Sequence, residues 1–114
     1  MQKYSGNRIK YRDLVIIDRR GNIRFNACLA RKLVKYGSVN FSYFGTCPGW
    51  SVVGDDKVFR IEFCEDLLGS HKITRKVGVN YAVVFGKAFL DSIEMLPDVT
   101  IEYPVELKDN CVFI

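Results

Sequence analysis

Long apolar runs are missing from this 114-residue sequence. The longest, Leu14 to Ile17 and Tyr81 to Phe85, fall far short of the roughly 20 residues that a membrane helix needs. The amino terminus, Met1-Gln2-Lys3-Tyr4-Ser5-Gly6, lacks the apolar core of a signal peptide, so an intracellular location is expected and no membrane partner. Close cysteine pairs are also missing: Cys28, Cys47, Cys64 and Cys111 are separated by 19, 17 and 47 residues. Zinc sites are usually assembled from pairs two to four residues apart, and His71 is the single histidine, so no metal site is expected. Three disulfide pairings of the four cysteines stay open. There is no glycine-rich phosphate loop and no nucleophile elbow. The carboxylate pairs Asp55-Asp56 and Glu65-Asp66 fall where a turn or a connection favours acidic residues, and His71 has no partner in a motif. A nonenzymatic protein without a cofactor is the expectation.

What is present is the composition of a globular chain, 48% hydrophobic and 26% charged, long enough for one domain to bury a core without staples. The net charge of +4 hides a segregation. Residues 1–37 hold Lys3, Arg8, Lys10, Arg12, Arg19, Arg20, Arg24, Arg31, Lys32 and Lys35 against only Asp13 and Asp18, while residues 38–114 are net acidic. Such asymmetry gives one part of the molecule an attractive field for polyanions.

The sequence reads as one structural unit written twice in residue class. A shift of 56 positions lays Ile17, Arg19, Arg20, Ile23 and Phe25 on Ile73, Arg75, Lys76, Val79 and Tyr81, and carries Leu29, Arg31 and Leu33 onto Phe85, Lys87 and Phe89. At a slightly larger shift Val39, Phe41 and Tyr43 fall on Val99, Ile101 and Tyr103. The organisation read from this is a basic arm over 1–11, a first repeat over 12–63, a connection over 64–70 and a second repeat over 71–114.

Within the first repeat, residues 13–18 read as a central strand, apolar on both faces. Arg19-Arg20-Gly21-Asn22 is a hairpin turn, after which Ile23 and Phe25 point inward and Arg24 outward. Asn26 caps a helix predicted to run to about Tyr36 and to end at Gly37, with Leu29, Leu33 and Tyr36 buried and Arg31, Lys32 and Lys35 outside. Val39, Phe41 and Tyr43 alternate as a strand, as do Phe59, Ile61 and Phe63, with a short strand at Trp50 to Val53 between turn signals. In the second repeat a hairpin starts at Ile73, and Phe85, Phe89, Ile93 and Leu96 form a helical stripe stopped by Pro97. A strand at 99–103 and a hairpin turning at Lys108-Asp109-Asn110 close the chain. The fold class is α+β: two β-β-α-β-β units, two helices and a mostly antiparallel sheet.

The segment Ile17-Asp18-Arg19-Arg20-Gly21-Asn22-Ile23-Arg24-Phe25, with the helix Asn26 to Leu33, resembles the swapped-hairpin half of AbrB-like transition-state regulators. The resemblance covers residues 12–63 better than 71–114, with Asn26 in place of the proline that often opens that helix and with longer strands after it. It implies interlocked homodimers that grip DNA with arginines beside the first strands, here Arg19, Arg20, Arg24 and Arg31. Arg75, Lys76 and Lys87 stand at the corresponding places of the second half. In overall character the chain is also similar to small proteins of rod-shaped viruses of crenarchaea, which implies no activity. The expected function is binding of nucleic acid, duplex DNA first, by a small regulator whose contacts are Arg19, Arg20, Arg24, Arg31, Lys32, Lys35, Arg75, Lys76 and Lys87. A protein interaction or virion module is the alternative, with Trp50 as a candidate anchor.

Overall fold

A computed structural model describes residues 12–44, 58–75 and 80–114. The elements in chain order are β1 (Leu14–Ile17), β2 (Asn22–Phe25), α1 (Ala27–Lys32), β3 (Tyr36–Tyr43), β4 (Phe59–Glu65), β5 (His71–Lys72), β6 (Thr74–Arg75), β7 (Ala82–Phe85), α2 (Lys87–Ser92), β8 (Ile101–Pro104) and β9 (Cys111–Phe113). They form an α+β fold with two sheets, ordered β6-β7-β2-β1-β8 and β5-β3-β4-β9. Every strand pair between these elements is antiparallel.

Period-two alternation decides what each strand buries. Val15 and Ile17 of β1, Ile23 and Phe25 of β2, and Ala82 and Val84 of β7 are fully buried from the five-stranded sheet. Val39, Phe59, Ile61, Phe63 and Val112 are fully buried from the four-stranded one. Edge-to-face packing of Phe25 on Phe63, ring centroids 5.3 Å apart, joins the two sets. The first helix adds Leu29, with Leu33 just past its end, and the second adds Leu90. Phe89 of α2 stacks on Phe41 at 4.7 Å and meets Phe59 edge-on at 5.2 Å.

Asn26 ties the first half together. Its Oδ1 accepts the amide N–H of Leu29 and that of Leu14, both at 3.1 Å, so one oxygen caps α1 and holds the start of β1. Its Nδ2 donates to the Arg12 carbonyl at 2.7 Å.

Several boundaries differ from the sequence expectation. The first helix ends at Lys32 with Leu33 as its cap, not at Tyr36. Tyr36 opens β3 because its ring packs on Phe63, centroids 5.9 Å apart. Gly37 sits at a bulge in β3, where a Cβ would meet the Asp66 carbonyl at 2.7 Å, so it serves a close backbone approach rather than a helix end. Phe85 belongs to β7 and not to a helical stripe, and the fully buried residue of α2 is Leu90. The antiparallel pairing is divided over two sheets rather than gathered in one. Each half supplies a four-residue strand, one capping residue and a six-residue helix, with Ala27 and Lys87 opening helices 60 positions apart. That is the offset at which Val39 meets Val99, not the shift of 56 that aligns Ile17 with Ile73. The arm 1–11, the Trp50 to Val53 strand, Asp55-Asp56 and Lys76 lie outside the described residues.

Candidate functional site

Residues that alternate away from the core place a distinct set of side chains on the other face of the five-stranded sheet. Arg24 occupies its middle, directly opposite Ile16 on β1 and Val83 on β7. Phe85 stands opposite Asn22 and remains 60% exposed, an unusual position for a phenylalanine flanked by buried neighbours. Together with Asp18, Thr74, Tyr81 and Thr100, these residues line an open cavity of about 450 Å³. The Arg24 guanidinium lies over the Tyr81 ring, 5.3 Å from its centroid.

The turn at one end of this face is built by Asp18. Its carboxylate accepts the backbone N–H groups of Arg20 (2.9 Å) and Asn22 (3.0 Å) and the Asn22 side-chain amide (3.1 Å). Burial raises the acid's pKa, but these hydrogen bonds and the Arg20 charge outweigh it and hold Asp18 below its ordinary 3.8. Gly21 takes φ +86°, and a Cβ there would land on the backbone and Cβ of Lys87. The consequence is that Arg19 and Arg20, both exposed, project from a rigid tip with Lys87 beside it.

A second cluster forms at the opposite end, around Tyr81. Arg31, Val34, Arg75, Asn80 and Tyr81 border one cleft of about 200 Å³, whose lining contains no acidic side chain. Arg75 donates from Nη2 to the Leu33 carbonyl at 2.6 Å, satisfying a backbone acceptor at the end of α1 and fixing the guanidinium there. Among the described residues this uses one of its five donors. Tyr81 thus carries Arg24 on the outer face and shares a cleft with Arg31 and Arg75 at the margin of the sheet, where Arg75 stands opposite the buried Ala82, although the chain separates the three arginines by up to 51 positions (24 to 75).

The remaining expected contacts lie elsewhere. Lys32 pairs with the buried Asp13 at 2.7 Å, and that hydrogen bond raises the lysine's pKa. Lys35 lies over the Tyr36 ring at 5.3 Å. These two cations have structural partners. On the β8 side of the face, Glu102 stands opposite Ile16 and, with Asp18, makes that margin acidic.

Among the described residues no group of three or more His, Cys, Asp or Glu side chains is placed to hold a metal ion. His71 bonds the Ser70 hydroxyl at 2.8 Å and packs edge-on against Phe41. Burial pushes the Cys64 and Cys111 thiols up, away from the reactive thiolate, and a hydrogen bond with Asp13 does the same for Cys28. No helix of the described residues is long and apolar enough to cross a membrane.

Sequence reasoning missed Tyr81, Val83 and Phe85 as a strip on this face. The signal was their common parity in Tyr81-Ala82-Val83-Val84-Phe85, which a helical reading of Phe85 obscured. Compared with known proteins, the chain matches no protein family, no curated protein and no solved structure.

Proposed function

We propose that the protein is a nonenzymatic nucleic-acid-binding protein that uses the outer face of its five-stranded sheet. The observation that carries this reading is Arg24 over Tyr81 in the middle of that face, with Arg19 and Arg20 held at one end of it and Arg31 and Arg75 sharing a cleft with Tyr81 at the margin of the sheet. Like charges are brought together here at an electrostatic cost that a polyanion would offset. Guanidinium groups also match phosphate geometry bidentately, which a scattered set of lysines would not. The acidic margin of Asp18 and Glu102 sets the direction, favouring a phosphate path toward β7 and β6 over one toward β8.

Charge reversal tests the reading. Arg19→Glu, Arg20→Glu and Arg31→Glu should each weaken DNA binding, and Lys108→Glu should not, because Lys108 stands away from this face beside Glu106. Equal losses at Arg31 and Lys108 would contradict it. The role proposed is that of a small regulator acting as a symmetric dimer inside a cell, joined along the edge strand β8, where Ile101 and, just before the strand, Val99 are exposed. Light scattering should then give twice the 13.1 kDa chain mass, and a monomer across the micromolar range would exclude the dimer.

A further inference from the structure

Resting on the nucleic-acid reading above, we infer that the occupant of this face is a single strand, whose bases lie on Phe85 and the apolar strip while its phosphates meet the arginines. A duplex offers apolar surface only as methyl groups at its groove edges or at the cost of unstacking a step, whereas an unpaired base offers its whole ring face to an exposed phenylalanine. Here Phe85 is 60% exposed, and Val83 and Ile16 are only partly covered on the same face. Desolvating these groups is favourable only against an apolar or aromatic surface, which an unpaired base provides and a phosphate row does not.

Geometry supplies the rest. Tyr81, Val83 and Phe85 share one parity, so the two rings stand at the ends of a line four residues long, about 13 Å at strand spacing. The Tyr81 end carries Arg24 on the face itself and Arg31 and Arg75 in the cleft at its margin, and the Phe85 end abuts the Arg19-Arg20 turn through its partner Asn22. A strand laid along β7 would thus find cations at both ends and a stacking surface between. Asn22, Thr74 and Thr100 line the cavity with neutral hydrogen-bonding side chains, suited to base edges rather than to phosphates. At about 450 Å³ the cavity has room for bases, and its walls are part of the rigid sheet.

The test is fluorescence anisotropy with a fluorescein-labelled DNA strand of about 15 nucleotides, alone and annealed to its complement, at about 50 mM salt. The single strand should bind about tenfold or more tightly than the duplex. Phe85→Ala should lose about tenfold in single-strand affinity with the salt dependence unchanged, whereas Phe85→Tyr, which keeps the ring, should retain it. Because Phe85 lies outside the core, thermal unfolding of both variants should follow that of the parent protein. A duplex bound as tightly as the strand, or a silent Phe85→Ala, would overturn the single-strand inference while leaving the arginine-based reading standing. Failure of both probes to bind would overturn both.

Discussion

The Arg24 guanidinium lies 5.3 Å from the centre of the Tyr81 ring, and this contact links the two halves of the chain on the open face of the five-stranded sheet. It holds the central cation of the face in place without neutralising it, since a ring quadrupole attracts the charge but leaves it net positive. An acidic partner would have fixed Arg24 equally well and removed it from any role with a polyanion.

A double-mutant cycle measures that contact. Arg24→Ala and Tyr81→Leu, combined and alone, should show a coupling of about 0.5–1 kcal/mol in denaturant unfolding, the range for a partly exposed cation–π pair. Additivity within experimental error would mean that Tyr81 does not position Arg24.

Asn26 provides a sharper test of the fold, because one side chain makes three hydrogen bonds that join Arg12, Leu14 and Leu29. Asn26→Ala should cost about 2 kcal/mol in chemical denaturation. Asn26→Asp preserves the acceptor for the cap and loses the donor to Arg12, so its cost should be about half as large. Equal losses for the two variants would argue against the divided roles.

The Asp18 turn predicts a pH dependence. Its carboxyl is depressed below 3.8 in the folded state, so the stabilisation is complete above the ordinary carboxylate range and is lost as pH falls through the folded value. Asp18→Ala should therefore be less stable than the parent by about 1 kcal/mol at neutral pH, and the gap should close below about pH 4. A gap that persists unchanged in acid would assign the turn's stability to something other than the ionised carboxylate.

The strands and their buried faces were legible because period-two alternation is a local signal. Ile23 and Phe25, Phe59, Ile61 and Phe63 all bury as that period requires, and Asn26 caps as its position before a helix implies. What was not legible is non-local. Tyr36 is compatible with the end of a helix in sequence, and only its packing on Phe63 draws it into β3. The pairing of β2 with β7, which sets Arg24 opposite Val83 and near Tyr81, joins segments about which the sequence pattern carries no pairing information. For the same reason the expected contacts divide as they do. Arg31 and Arg75 meet at one cleft, whereas Lys32 is drawn off by Asp13, a partner 19 residues away in sequence.

The salt dependence of binding tests the central claim most directly. If Arg19, Arg20, Arg24, Arg31 and Arg75 contact phosphates, log K for the labelled single strand should fall linearly with log salt, by about 0.7 for each phosphate neutralised. Arg31→Glu should reduce that slope by about one such increment or more, while Lys108→Glu leaves it unchanged. An affinity insensitive to salt, or a slope altered equally by the two reversals, would contradict the account.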